Sequence, residues 1–140
     1  MSEETGKAPR ATGGCLCRGV QFEVLGPLRD VMMCHCGQCR RTHGHVAAYT
    51  SAARADVVFG AEATLRWYVS SDRARRGFCG TCGASLFWEP EGEGRIAISA
   101  GCLDRPTGLR AIAHVYVDDA SDYYEIADGL PRYPASQSRP

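Results

Sequence analysis

Apolar and polar residues alternate with a period of two in several short stretches of this chain. Residues 20–24, with the sequence Val-Gln-Phe-Glu-Val, show the pattern most clearly, and the turn residues Gly26 and Pro27 end it. This alternation is typical of a β-strand with one buried face. Further short strands, each bounded by Gly, Pro, Asp or Ser, are predicted at residues 46–50, 57–59, 64–69, 85–88, 95–100 and 113–117.

The pattern predicts one short helical turn, over residues 38–43. It follows a cluster of cysteines directly, and Gly44 would end it. Because short strands recur at regular spacing along the rest of the chain, we expect a mainly β fold built from short strands in layers.

The composition indicates one domain without a strongly charged surface. A chain of 140 residues fits a single domain, which we expect over residues 13–133, with polar tails at 1–12 and 134–140. Sixteen basic residues balance sixteen acidic ones, so no general positive field would attract nucleic acid. No apolar run approaches the roughly 20 residues that span a bilayer, so we expect no membrane association.

Cysteine gives the strongest chemical signal, because seven of the eight cysteines lie in three tight clusters, at residues 15–17, 34–39 and 79–82. Thiolates at such spacing grip a zinc ion from a single turn of backbone. A disulfide framework is the alternative, but a bridge between such close cysteines would be strained. Residues 1–11 do not resemble a signal peptide, so we expect a reducing compartment, the cytoplasm, where clustered cysteines are more often ligands.

The third cluster predicts half of a structural zinc site. Cys79 and Cys82 flank a glycine-containing bend, which is the pattern of a zinc knuckle, and Cys15 and Cys17 supply a second pair from earlier in the chain. These four thiolates would complete a tetrahedral site that ties the start of the domain to its middle. Alternatively, Cys15 or Cys17 is only a small buried side chain.

The central cluster predicts a different kind of site. Cys34, Cys36 and Cys39 can cap one face of a zinc ion and leave its fourth position open, which is the arrangement of a catalytic zinc. A thiol at that position would be held as a nucleophile, whereas a water would support hydrolysis. The alternative is a closed second site, and the candidate fourth ligands are His35, His43, His45 and Cys102. Of these, His35 is expected to point away, and Cys102 is read as a buried thiol.

Other charged and aromatic residues allow two readings each. Arg40 and Arg41 follow the central cluster and either clamp substrate carboxylates or lie on a solvated surface. Residues 73–76 contain three arginines, which we interpret as a solvated face or as a neutraliser of the four-cysteine site. Five aromatic residues are expected to pack in the core or at its edge: Trp67, Tyr68, Phe78, Phe87 and Trp88.

The order of motifs strongly resembles the glutathione-dependent formaldehyde-activating enzyme family. The motifs are Gly-Cys-Leu-Cys-Arg-Gly-Val at 14–20, Cys-His-Cys-Gly-Gln-Cys-Arg-Arg at 34–41 and Phe-Cys-Gly-Thr-Cys-Gly at 78–83. The likeness continues through residues 101–104, 114–117, 124–126 and 130–133, so it covers nearly the whole domain. The chain departs from the family pattern at Asp122-Tyr123, where relatives carry Pro-Trp, and at Cys102, where they carry Ser or Thr.

The resemblance implies a β-tent fold of short antiparallel strands, two zinc ions per chain and carbon–sulfur lyase chemistry. Cys15, Cys17, Cys79 and Cys82 would hold the structural zinc, and Cys34, Cys36 and Cys39 would hold the catalytic one. The implied reaction joins formaldehyde to glutathione to give S-(hydroxymethyl)glutathione. Two alternatives stay open: a carbon–sulfur lyase acting on another small thiol adduct, and a non-catalytic zinc-stabilised module that binds a protein or chromatin partner.

Overall fold

The computed structural model describes residues 8–136, so parts of the predicted tails, residues 1–7 and 137–140, lie outside the described residues. The described part forms β1 (Ala11–Gly14), β2 (Gln21–Val24), β3 (Val31–Cys34), β4 (Ala47–Ala53), β5 (Val57–Ala61), β6 (Leu65–Val69), β7 (Ala74–Cys79), β8 (Ser85–Pro90), β9 (Arg95–Ser99) and β10 (Ala111–Val115). It also contains one α-helix, α1 (Gly37–His43), and short 3-10 turns at Arg54–Asp56, Ala100–Cys102 and Val117–Asp119. No helix among residues 8–136 is long and apolar enough to cross a membrane.

The strands form two sheets, which confirms the mainly β prediction. The smaller sheet has the order β1-β2-β5, and the larger has the order β10-β3-β4-β9-β8-β7-β6. Neighbouring strands are antiparallel except β10 and β3, which run parallel with Val31 beside Ala111 and Cys34 beside Val115. The expectation of antiparallel strands is therefore wrong at this one pair, which leads directly into the central cysteine cluster.

Each predicted strand is present, with its ends shifted by a few residues, and three further strands were not predicted: β1, β3 and β7. β1 begins at Ala11, inside the segment expected to be a tail. Helix α1 lies where it was predicted. Its N-cap is Cys36, whose sulfur accepts a hydrogen bond from the backbone N–H of Cys39, and Gly44 ends it in the left-handed conformation with φ 81°.

The main core lies between the two sheets and is centred on an aromatic cluster. Phe87 of β8 is 1% exposed, and its ring meets Phe22 and Phe59 of the small sheet edge-on at centroid distances of 5.2 and 5.7 Å. Trp67 of β6 stacks on the other side of the ring at 6.1 Å. The packing role predicted for Trp67 and Phe87 is confirmed, whereas Tyr68 on edge strand β6 is exposed.

A glycine allows the first strand to lie close against the segment that follows β9. A Cβ at Gly13 would be 2.5 Å from the carbonyl oxygen of Cys102 and 2.7 Å from the ring of Phe22. Gly13 also pairs with Leu103 through an isolated β-bridge. Because only glycine fits this approach, β1 is held against the core just before the first cysteine pair.

Candidate metal centres and the adjoining cavity

Two separate turns bring the four-cysteine group together. Cys15 and Cys17 lie in the turn after β1, and Cys79 and Cys82 lie at the turn between β7 and β8. The four sulfurs are within 4.8 Å of one another, and the Cys17 sulfur is 3.7 Å from those of Cys15 and Cys79. A tetrahedron with zinc–sulfur bonds of about 2.3 Å has edges of about 3.8 Å. The donor set and its spacing therefore fit a zinc ion.

Hydrogen bonds to sulfur favour the thiolate form of Cys79 in this group. The Cys15 sulfur accepts the backbone N–H of Val20 at 3.3 Å, and the Cys79 sulfur accepts the N–H groups of Thr81 and Cys82 at 3.4 Å. The hydrogen bond with the Thr64 hydroxyl and these backbone N–H groups lower the pKa of Cys79 to about 5. Cys79 is thus a thiolate at neutral pH, which is the form that binds metal.

The three-cysteine group is built from the end of β3 and the start of α1. Cys34 ends the strand, Cys36 caps the helix and Cys39 lies in its first turn. Their sulfurs are within 4.8 Å of one another. Hydrogen bonds between these thiols raise the pKa of Cys34 and lower that of Cys36. The three sulfurs converge because the end of β3 is followed directly by the N-cap and first turn of α1.

The histidines proposed as a fourth ligand are engaged elsewhere. His35 is 2% exposed and points away from the cluster, as expected, because both of its ring nitrogens are hydrogen-bonded to other side chains. The Nε2 atom of His43 lies 2.8 Å from the hydroxyl of Tyr49, and Nδ1 of His45 is hydrogen-bonded to Tyr123. Among residues 8–136, no fourth Cys, His, Asp or Glu joins the three sulfurs in one ligand group.

Cys102 also lies outside both cysteine groups. Its thiol donates a 3.5 Å hydrogen bond to the backbone carbonyl of Ser85. Burial raises its pKa to about 11, and the negative charges of Cys15 and Cys82 add to this shift. The interpretation of Cys102 as a buried thiol therefore fits its surroundings better than metal ligation does.

The three-cysteine group forms one wall of a cavity of about 640 Å³, which is within the size range of small-molecule sites. The remaining wall is mainly apolar and includes Met32, Trp88, Val115 and Tyr116. Arg40 and Arg41, for which a substrate clamp was one of two interpretations, are not among the described residues that line this cavity. The arginines in its lining are Arg29 and Arg76.

Arg76 corrects the interpretation of the arginine segment. This residue of β7 is 7% exposed, so it does not lie on a solvated face. Its guanidinium donates to the side-chain oxygen of Gln38 at 2.7 Å and to the hydroxyl of Tyr49 at 3.0 Å, and it lies 3.6 Å from the sulfur of Cys39. Arg76 therefore faces the three-cysteine group. Neither interpretation of the arginine segment, a solvated face or a neutraliser of the four-cysteine group, holds for this residue.

A hydrogen-bonded chain of side chains that sequence reasoning missed holds the loop between Cys34 and Cys36. The hydroxyl of Tyr124 lies 2.7 Å from Nδ1 of His35, whose Nε2 is 2.8 Å from Nδ1 of His114. The Nε2 atom of His114 lies 2.8 Å from a carboxylate oxygen of Asp128. With neutral imidazoles, each group donates to the next in one direction, from Tyr124 to Asp128. No local pattern signals these contacts, because His35 is 79 residues from His114 and 89 from Tyr124.

The fold and the two cysteine groups together define a class of β protein that can hold metal ions through cysteine thiolates. One group provides four ligands, and the other provides three and lines a cavity. The family model of the glutathione-dependent formaldehyde-activating enzyme matches residues 10–119. The chain belongs to this family, which confirms the resemblance seen in its motifs.

The proteins similar to this chain include a curated relative and a solved structure. One is an uncharacterized lyase of Schizosaccharomyces pombe, 27% identical over 121 residues, which cover 86% of this chain and 88% of the relative. The other is a Rhodobacter sphaeroides protein of known crystal structure, with a TM-score of 0.56 and 27% identity, covering 71% of this chain and 97% of that one. Family membership and the similarity to a lyase support an enzyme of the carbon–sulfur lyase type.

Proposed function

We propose that this protein is an S-(hydroxymethyl)glutathione synthase that condenses formaldehyde with glutathione. The observation that carries the proposal is the three-cysteine group, whose sulfurs converge at the wall of a cavity while no fourth ligand from residues 8–136 closes it. A purely structural site needs four protein ligands, as the other group provides. An incomplete set beside a cavity is the arrangement expected of a catalytic metal.

The proposed cofactors are two zinc ions per chain. Cys15, Cys17, Cys79 and Cys82 would hold the structural ion, and Cys34, Cys36 and Cys39 would hold the catalytic ion. Zinc bound by three thiolates supplies one function here, which is to keep a substrate sulfur deprotonated at neutral pH. Three thiolate ligands also give the site a net negative charge, which makes thiolate chemistry a better use of it than water activation.

In the proposed reaction, the glutathione thiol loses its proton and its sulfur forms a bond to the formaldehyde carbon. The carbonyl π electrons move to oxygen, which takes up a proton, so the product is S-(hydroxymethyl)glutathione with no change in oxidation state. The wall formed by Met32, Trp88 and Val115 offers apolar surface next to the three sulfurs. We place this chemistry in the cytoplasm, where thiols stay reduced.

Exchange NMR tests the proposal directly. Interconversion of glutathione, labelled formaldehyde and S-(hydroxymethyl)glutathione is compared in buffer, with the protein, and with Cys36→Ser. The matched control is Cys102→Ser, which makes the same atomic change outside both cysteine groups. We expect acceleration by the native protein and by Cys102→Ser, and its loss in Cys36→Ser although the domain stays folded.

Two results would count against the proposal. Full activity in Cys36→Ser would show that the three-cysteine group does not perform the reaction. No acceleration by a native protein that contains two zinc ions would reject formaldehyde as the substrate, and would favour either another thiol adduct or a binding function.

A further inference from the structure

Arg76 is a buried cation without an acidic partner. It is 7% exposed, and among residues 8–136 no Asp or Glu side chain lies within ion-pair distance of its guanidinium. A buried charge is strongly unfavourable unless an opposite charge compensates it. Apart from the hydroxyl of Tyr49 at 3.0 Å, a phenol that is neutral at neutral pH, the nearest group able to carry negative charge is the sulfur of Cys39, at 3.6 Å. An anionic three-cysteine group would compensate the charge of Arg76.

Two neutral side chains fix the guanidinium in this position. The amide oxygen of Gln38 accepts from its Nε atom, and the hydroxyl of Tyr49 accepts from Nη1, which leaves Nη2 directed at the sulfur. Because neither partner is charged, neither one neutralises Arg76, and its full positive charge acts on the cysteine group. A rigid fork held by two acceptors also needs no rearrangement when a ligand binds.

We propose that Arg76 is the counter-charge of the three-cysteine metal site and a specificity-determining residue that favours an anionic thiolate at the open position. A divalent ion with three thiolates carries a net charge of −1, and a fourth thiolate makes it −2, whereas a neutral ligand leaves it at −1. The cation of Arg76 stabilises the more negative complex more strongly. The second half of this inference rests on the proposed function, because it assumes a thiol substrate.

Metal affinity tests the counter-charge without any activity assay. Zinc is withdrawn from the native protein, Arg76→Gln and Arg73→Gln by increasing concentrations of a chelator. Arg73→Gln is the matched control, because it makes the same change of charge at an exposed residue of the same segment. The ion in the four-cysteine group serves as an internal reference for folding.

We expect Arg76→Gln to bind the zinc ion of the three-cysteine group at least about tenfold more weakly, because a full charge within a few ångströms is removed. The second zinc ion, and both ions in Arg73→Gln, should be unaffected. Unchanged affinity in Arg76→Gln, or an equal loss in Arg73→Gln, would overturn the proposal.

Gln38→Glu tests the same inference if Arg76→Gln does not fold. Gln38 is exposed, and its side-chain oxygen is 2.7 Å from Nε of Arg76, so a carboxylate there would cancel the guanidinium charge and leave the residue in place. We expect a loss of zinc affinity in the same direction as in Arg76→Gln. Undiminished affinity in Gln38→Glu would contradict the counter-charge role.

Ligand selectivity tests the second half of the inference. Protein loaded with Co²⁺ is titrated with glutathione, followed by its thiolate-to-cobalt absorption, and separately with imidazole as a neutral ligand. Arg76→Gln should weaken glutathione binding at least about tenfold and leave imidazole binding nearly unchanged, and Arg76→Lys should restore much of the difference. Equal weakening of both ligands would show a merely structural role. If the native protein binds glutathione in this way yet does not accelerate the NMR exchange, the proposed function fails and the role of Arg76 stands.

Discussion

Replacing Cys82 by Ser tests whether the four-cysteine group is a structural metal site. Cys82 belongs to the four-cysteine group, which joins the turn after β1 to the turn between β7 and β8. Two other members of this group, Cys15 and Cys79, are themselves part of the main core. Loss of an ion bound there would therefore remove a connection between the two sheets and leave unpaired thiols inside the core.

The size of the effect follows from the binding free energy of the ion. Structural zinc contributes on the order of 10 kcal/mol to folding when its ligands come together only in the folded state. The total stability of a domain is about 5–15 kcal/mol, so the loss of one of four ligands removes a large share of it. The same substitution at Cys36 affects a group that is only partly buried and packs against a small satellite cluster, so its effect on stability should be much smaller.

The assay is thermal unfolding followed by near-ultraviolet circular dichroism, together with metal analysis of the native protein, Cys82→Ser and Cys36→Ser. We expect two zinc ions in the native protein, and a melting temperature that falls sharply in Cys82→Ser but little in Cys36→Ser. An unchanged melting temperature in Cys82→Ser would refute the structural role of this group. A reproducible value of one zinc ion in the native protein would show that the three-cysteine group does not hold a stable ion.

Two further predictions concern the packing and the hydrogen-bonded chain. Phe87→Ala should lower the free energy of unfolding by about 3–5 kcal/mol in urea titrations, because it leaves a cavity among aromatic rings, whereas Tyr68→Ala on the exposed edge should change it by less than about 0.5 kcal/mol; a loss below 1 kcal/mol at Phe87 would contradict the proposed core. The hydrogen bond from His114 lowers the pKa of Asp128 below its usual 3.8, so this carboxylate stabilises the folded state above that pH and ceases to do so as the pH falls through the lowered value. The difference in unfolding free energy between the native protein and Asp128→Asn should therefore be constant near pH 7 and shrink below about pH 4, and a difference that grows on acidification would contradict this assignment.

Local sequence patterns predicted the strands in which apolar residues alternate with polar ones and the apolar residues face the core, and they predicted the helix from the residues at its two ends. β2 follows the alternation of Phe22 and Val24, and α1 lies between a cysteine N-cap and Gly44, as its sequence indicates. The three missed strands lack such a pattern. β1 contains Gly13 and Gly14, which have little strand propensity, and they are extended because they pair with Phe22 and Gln21 of β2. β3 is a run of four residues that ends in a cysteine of the central group.

The site was predictable where its ligands are close in sequence, and unpredictable where its partners are distant. The close spacing in the sequence was enough to predict the ligand group Cys34, Cys36 and Cys39. His114, in contrast, contacts the loop between Cys34 and Cys36 because β10 lies parallel to β3, and Asp128 is hydrogen-bonded to His114. The parallel pair was itself not expected from a chain of short hairpin-like strands. This unpredicted strand pairing places His114 beside His35, and Tyr124 and Asp128 join them from the segment after β10.

Strand β7 shows most clearly why charge cannot be interpreted from local sequence alone. Arg75 and Arg76 are neighbours with the same side chain, and a period of two sends them to opposite faces of the sheet. Arg75 lies over the ring of Trp67 and pairs with Glu89, as a partly exposed arginine commonly does. Arg76 enters the interior, where a guanidinium is tolerated only beside a compensating anion. The anion is supplied by cysteines about 40 residues earlier in the chain, so the burial of this arginine and the charge of the cysteine group are two consequences of one contact.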